Sequence, residues 1–305
     1  MPPDERLAVF EAQRPRLLRL AYRMLGSLSE AEDVVQEAWP RWAAVNGGIE
    51  MPAAYLTRIV TRLCLDQLKS ARARREEYVG PWLPEPLVQQ AGEEAIADDV
   101  TLTLMMAMER LSPLERAAFL LHDIFGTPLT EVAAVLEREP AAVRQLASRA
   151  RRHVREARPR YDLSPESASD LVRAFHEAST KGDIKALSGI LADQVTIFSD
   201  GGGNVLAFRN VVRGMDRVLR LFQGLARKAA YRPQLLRIVM IDGLPGFVSI
   251  DRGAALQTTA LEVRDGKITA LYIVRNPDKL RHVEAMLAEG SDGRIAGTEP
   301  KRLVR

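Results

Sequence analysis

The sequence predicts two all-α domains followed by an α+β domain, and three observations carry that expectation. Apolar residues recur at helical spacing through about the first 75 positions, with little β-branched alternation. A stretch rich in proline and acid, 78–100, then separates this block from a second helical block at 101–160. From 165 to 285 the pattern becomes helices followed by runs of strand length and β-rich composition. Residues 286–305 read as a polar tail. A chain of 305 residues has room for each of these parts to bury its own core.

In the first block, 1–77, Ser29 and Glu32 form a capping-box pattern at a helix start, and Asn46-Gly47-Gly48 breaks the chain before Pro52 reopens a helix. Along that helix Leu56, Ile59, Val60, Leu63, Cys64, Leu68 and Ala71 form one apolar stripe, with Arg58, Arg62, Asp66, Lys69 and Arg72 opposite. In the separating stretch, Trp82 and Leu83 stand among Pro81, Pro84 and Pro86, and Glu93, Glu94, Asp98 and Asp99 follow, so it reads as a linker. The second block shows Ser112-Pro113-Leu114-Glu115, which combines a cap, a proline at the first helical position and a glutamate at N3. Thr127-Pro128 opens a short helix through Leu136, and Glu139-Pro140 opens the next, which runs into a tail of arginines. Ser164-Pro165 caps a further helix, after which 195–198, 235–241, 247–250, 256–263 and 268–274 read as strands of a curved, mostly antiparallel sheet. Arg264-Asp265-Gly266-Lys267 joins the last two as a hairpin.

Composition narrows the function. Cys64 is the only cysteine, which rules out a disulfide framework or a cysteine-based metal site and suits a reducing cytoplasm. No apolar run approaches the roughly 20 residues that span a bilayer, so neither membrane insertion nor secretion is expected. Residues 1–160 hold 22 basic and 23 acidic side chains, so net charge does not mark nucleic-acid binding. Local clusters do: basic residues from Arg58 to Arg75 and from Arg144 to Arg160, against an acidic run at Glu30, Glu32, Asp33 and Glu37.

Glu30, Asp33 and Glu37 share one helical face, an anionic strip suited to a basic partner helix. With the preceding Tyr22-Arg-Met-Leu-Gly26, the segment from Glu30 to Trp39 closely resembles the core-binding helix of extracytoplasmic-function sigma factors. The resemblance implies contact with the clamp of core RNA polymerase through Asp33, Gln36 and Glu37. It makes the helix from Pro52 to Arg75 the reader of the −10 promoter element, with Asn46 in the loop that holds a flipped base, and Arg58, Arg62, Lys69 and Arg72 facing DNA. Trp39 and Trp42 are candidates for an aromatic element there, though their spacing equally suits core positions. Leu129 to Arg155 resembles the −35-reading helix–turn–helix of the same family. There Arg144, Gln145, Ser148 and Arg149 are expected to meet base edges in the major groove, with Arg151, Arg152 and Arg155 toward phosphates.

Pro81-Trp82-Leu83-Pro84-Glu85-Pro86, Asp200-Gly201-Gly202-Gly203 and Asn276-Pro277-Asp278-Lys279 together resemble the sigma factor group with a SnoaL-like C-terminal extension, over nearly all of the chain to about 285. That group's triglycine continues into lysine, whereas Asn204 stands here. Within the three segments Trp82, Leu83 and Pro84, Asp200 to Gly203, and Asn276, Pro277 and Asp278 are the expected interdomain and regulatory contacts, the glycines either cradling an anion or receiving a loop from a neighbouring domain. The extension is expected to regulate a protein that is not an enzyme. A small ligand in its cone is a further candidate partner beside core polymerase and promoter DNA. Among its titratable groups, His176, His282, Asp193, Asp200 and Asp251 form no recognisable acid–base pair, and no phosphate loop or metal-ligand cluster is present, so neither cofactor nor metal is expected. Two alternatives stand beside this reading: a ligand-responsive helix–turn–helix regulator acting without polymerase, and a SnoaL-like cyclase or hydratase fused to a DNA-binding half.

Overall fold

The computed structural model describes residues 2–45, 49–76, 78–89, 101–155, 164–203, 205–228, 232–251 and 254–289. Asn46 and Asn204 lie outside these residues, as does everything beyond 289, and the side chain of Arg72 is likewise not described. The first helical block comprises α1 (Pro3–Leu25), α2 (Leu28–Ala43) and α3 (Pro52–Glu76). Helix α1 stops at Gly26, whose φ of 72° lets its N–H turn back to the Tyr22 carbonyl. The cap of α2 is Ser27, not Ser29: its hydroxyl accepts from the Glu30 N–H, because the helix starts two residues earlier than the Ser29–Glu32 pattern indicates.

The second block comprises α4 (Leu102–Met108), α5 (Pro113–Phe119), a π-turn at Leu120–Ile124, α6 (Leu129–Leu136) and α7 (Pro140–Val154). Ser112 and Glu115 close a reciprocal capping box at the start of α5. Glu137 takes a left-handed φ of 51° between α6 and α7 and makes the tight helix–turn–helix corner.

The expectation of separate cores for the two helical blocks is corrected. Their buried side chains form one continuous core, from Phe10, Leu17 and Trp42 through Leu56 and Val60 to Phe119, Leu120, Val132 and Val143. Helix α3 lies against α5 and α6, so its apolar stripe is too wide to be covered by α1 and α2 alone. The buried Arg116 of α5 adds a polar tie, donating to the Met24 carbonyl at the end of α1 at 2.7 Å and to Met108 O at 3.2 Å. Trp42 is a core residue whose Nε1–H donates to Arg6 O, and Trp39 is partly buried with its ring edge-on to Phe10.

The third domain opens with α8 (Pro165–Lys181) and α9 (Ile184–Ile190), followed by β2 (Leu191–Asp200), β3 (Val212–Arg213), α10 (Met215–Ala226), β4 (Gln234–Ile241), β5 (Leu244–Ile250), β6 (Leu256–Arg264) and β7 (Lys267–Val274). It closes with a 3₁₀ turn (Pro277–Lys279) and α11 (Arg281–Glu289), which extends four residues past the expected boundary at 285. Asp265 and Gly266, with φ of 50° and 71°, make the β6–β7 turn. The sheet runs β1-β4-β5-β6-β7-β2-β3, where β1 is Val88–Gln89; β2 and β7 pair parallel and the other neighbours antiparallel. One sheet face packs on α8 and α10 through Val172, Phe175, Val218 and Phe222. The other face buries Leu83 and Leu102 together with Leu280 and Val283.

The segment 78–89 therefore joins the two helical blocks but is not a free linker. Its Leu83 is fully buried in the third domain, and β1 extends that domain's sheet by pairing Val88 with Ile241 and Gln89 with Met240. Three prolines make the stretch look like a spacer, but each also removes a backbone donor, which makes extended chain easier to bury.

Candidate polymerase and nucleic-acid interface

The sequence-singled residues of α2 are on its outer face: Asp33, Gln36 and Glu37 are all exposed, while Ala31, Val34, Val35 and Ala38 are buried. Glu37 forms an exposed ion pair with Arg41 at 2.6 Å, one turn along. On α7, Arg144, Gln145, Ser148, Arg149, Arg152 and Arg155 are exposed, and Val143, Ala147, Ala150 and Val154 face the core. Arg151 is tied to Asp123 at 2.6 Å.

On α3 the arrangement differs from that of a free DNA-reading face. Arg58 and Arg62 both bond the carboxylate of Glu137, Arg58 at 2.8 Å, so the helix–turn–helix corner sits on the arginines expected to face the −10 element. Hydrogen bonding by Arg58, together with the Arg62 charge, holds the Glu137 carboxyl below its usual range. Lys69 is exposed and pairs with Asp66 at 2.8 Å.

The three motifs at 82–86, 200–203 and 276–279 meet at one junction. The Asp200 carboxylate has no exposed surface, and it accepts from Tyr78 Oη at 2.5 Å, Leu83 N at 2.8 Å, Gly202 N at 3.1 Å and Lys279 Nζ at 2.8 Å. Burial and the adjacent Asp200 push the Tyr78 hydroxyl pKa up. Lys279 also donates to Leu83 O, and its ammonium lies 4.3 Å from the Trp82 ring centroid and 5.0 Å from that of Tyr78. Asn276 donates to Tyr78 Oη at 2.9 Å and packs over Gly202, where a Cβ would sit 2.5 Å from its side chain. Gly202 has a φ of 64°, so both the approach and the backbone require glycine. Gly203 faces Val79, and a Cβ on Gly201 would meet Val205 O at 2.4 Å. The triglycine thus lies against its own loop, Asn276 and Val79. Pro84 is buried beside Leu83, while Pro277 and Asp278 are exposed at the start of the 3₁₀ turn.

Two contributors escaped the sequence reading. Glu85 caps α2 from outside, its carboxylate accepting from Leu28 N at 2.7 Å and Ser27 Oγ at 2.8 Å, where the helix dipole favours a negative charge. Its own N–H donates to Gly26 O at 2.9 Å, and Gly26 lies so close to Trp82 that a Cβ would meet the indole at 2.6 Å. The second is Asp242, in the β4–β5 turn at φ 44°, which touches all three parts of the chain. It accepts from Tyr22 Oη at 2.9 Å and Arg23 Nη1 at 3.1 Å, and from Leu87 N at 3.1 Å, while its carbonyl accepts from Leu102 N at 2.9 Å. Burial raises the Asp242 carboxyl above its usual value, opposed in part by Arg23. Ile241-Asp-Gly-Leu244 carries a hairpin signal in the sequence, but nothing in it marks the aspartate as a hub. The end of α1 is thus held by Glu85, Asp242 and Arg116, one from each neighbouring part.

No helix among the described residues is long and apolar enough to cross a membrane. The family model "Sigma-70 region 2" matches residues 9–74 and "Sigma-70, region 4" matches 101–154. The chain is 40% identical over 288 residues to the ECF RNA polymerase sigma factor SigJ of Mycobacterium tuberculosis, covering 88% of this chain and 91% of the relative. It is 34% identical to the probable ECF sigma factor SigI of the same organism, covering 93% and 97%. The crystal structure of M. tuberculosis SigJ superposes with a TM-score of 0.73 at 35% identity, covering 90% of this chain and 98% of that one. With matched regions on both helical blocks and likeness extending through the C-terminal domain, the chain belongs to the extracytoplasmic-function sigma factors of bacterial RNA polymerase.

Proposed function

We propose that this chain is a promoter-specificity subunit of RNA polymerase whose fused, non-catalytic third domain holds it in a closed form. Core polymerase docks on α2 through Asp33, Gln36 and Glu37. Arg58, Arg62, Lys69 and Arg72, with Asn46 in the preceding loop, read or grip the −10 element. Arg144, Gln145, Ser148 and Arg149 read the −35 element, with Arg152 and Arg155 on phosphates.

The observation that supports closure is the contact of Glu137 with Arg58 and Arg62 over a shared core. Elements centred near −10 and −35 are about 25 base pairs apart, roughly 85 Å along B-DNA at 3.4 Å per pair. Their two readers touch here. Reading both elements at once therefore requires α7 to leave α3, and whatever stabilises the junction opposes that opening.

The test is run-off transcription by core polymerase with the full chain on a promoter library, alongside energy transfer between dyes on α3 and α7. Promoter-specific transcripts, and a large increase in dye separation when polymerase and promoter are added, are expected. An initiating complex that keeps the compact separation overturns closure. Operator binding and regulation without polymerase would overturn the sigma reading.

A further inference from the structure

The third domain encloses a cavity of about 420 Å³ between α8, α10 and the sheet, within the range of sites for small organic molecules. Its walls are aromatic and aliphatic, with Phe175, Phe208, Phe222, Phe247 and Ile273 among them. Phe175 is edge-on to Phe222 at 5.6 Å, and the His176 ring is edge-on to Phe247 at 5.2 Å. His176 donates from Nε2 to Pro233 O, which fixes the ring in the wall.

The polar part of the lining is lopsided. Among the described lining residues, Arg275, Arg220 and Lys228 supply three cations against one carboxylate, that of Asp251. Arg275 is nearly buried and pairs with Asp251 through Nη2, but its Nε–H is buried without a hydrogen-bond partner. Thr180 Oγ1, in the same lining, is also buried without one. Unfilled donors in a largely apolar, cationic cavity call for an acceptor carried on an apolar body.

We propose that this cavity binds an amphipathic organic anion, an apolar ring system or chain bearing one acidic group, with that group held by Arg275. A neutral apolar molecule would leave the Arg275 Nε–H unsatisfied, and an anion adds a charge-assisted hydrogen bond there. The inference does not rest on the sigma reading. The site does adjoin the interdomain junction, because the Arg275 and Asn276 N–H groups both donate to Asp200 O.

The test uses two probes with one skeleton, 8-anilinonaphthalene-1-sulfonate and the uncharged N-phenyl-1-naphthylamine, titrated into the full chain and followed by fluorescence. One saturable site that prefers the sulfonate is expected. Arg275→Gln should weaken the sulfonate about tenfold or more while leaving the neutral probe within about twofold. Since Arg275→Gln strands Asp251 and can destabilise the domain, Gly224→Trp provides a second arm. Gly224 lines the cavity from α10, and a Cβ there meets nothing within 4 Å, so an indole can enter and should abolish binding of both probes. Unsaturable binding, equal affinity for the two probes, or sulfonate affinity unchanged in Gly224→Trp overturns the proposal.

Discussion

Replacing Asp200 with asparagine probes the junction with almost no change in shape. The carboxylate faces four donors from three segments, Tyr78, Leu83, Gly202 and Lys279, and its side chain is fully buried. An amide keeps one accepting oxygen, so its NH₂ must oppose either the Leu83 N–H and Lys279 ammonium or the Tyr78 hydroxyl and Gly202 N–H. It also leaves Lys279, whose side chain is 10% exposed, without its counter-charge. Removing one partner of a buried ion pair costs about 3–5 kcal/mol. The cation–π contacts of Lys279 with Trp82 and Tyr78 remain, which places the expected loss near about 3 kcal/mol. That corresponds to roughly a 150-fold shift toward the undocked form. Amide exchange read by mass spectrometry should show residues 78–89 losing protection by about two orders of magnitude, while α2 beyond its first turn, which Glu85 caps, keeps its own. The same variant should raise transcription from a matched promoter at equal folded concentration. Wild-type protection of 78–89 in Asp200→Asn would refute the assignment of that carboxylate as the closure, whatever transcription does.

Charge reversal at the exposed α2 strip, Asp33→Lys with Glu37→Lys, should abolish capture of core polymerase without moving the melting temperature, because neither side chain is buried; retained capture would refute that contact. Arg144→Ala plus Gln145→Ala should relax selection at specific −35 positions by about 1–3 kcal/mol per base, read by promoter-library selection, whereas Arg152→Ala should weaken binding on all sequences alike. Asp242 tests pH dependence: since burial raises its folded pKa, its contribution is present below the ordinary carboxylate value and is lost as pH rises through the raised one. Asp242→Asn, which tolerates the φ of 44°, should therefore gain stability relative to wild type as pH rises above the ordinary aspartate value of about 4 in urea titrations, and a difference that does not change with pH would refute the burial argument.

Much of the local structure was legible because it rests on short-range rules. Pro52, Ser112-Pro113, Glu139-Pro140 and Ser164-Pro165 open helices where caps and ring-fixed φ angles require it. Asp265-Gly266 turns the β6–β7 hairpin because both positions need positive φ. The shared face of Asp33 and Glu37 follows from period 3.6, while the outward setting of Gln36, Arg144, Gln145, Ser148 and Arg149 was an expectation from the family resemblance, and all seven are exposed. The Ser29–Glu32 pattern misplaced one cap because serines two residues apart offer nearly equal capping chemistry, and Glu85, arriving from 57 residues away, favours Ser27.

What the sequence determined by itself is therefore the three-part division, most of the individual helices and strands, and the family, whereas α10 between β3 and β4, α11 after the sheet and β1 in the expected linker were not among the elements it indicated. Only the tertiary structure decided how the parts meet: that both helical blocks share one core, that Glu137 covers Arg58 and Arg62, that 78–89 is built into the third domain, and that Asp242 joins three segments. The physical reason is range. Periodicity, caps and turns depend on neighbours within a few residues, whereas the pairing of Arg23 with Asp242 closes a separation of 219 residues and depends on every surface packed between them.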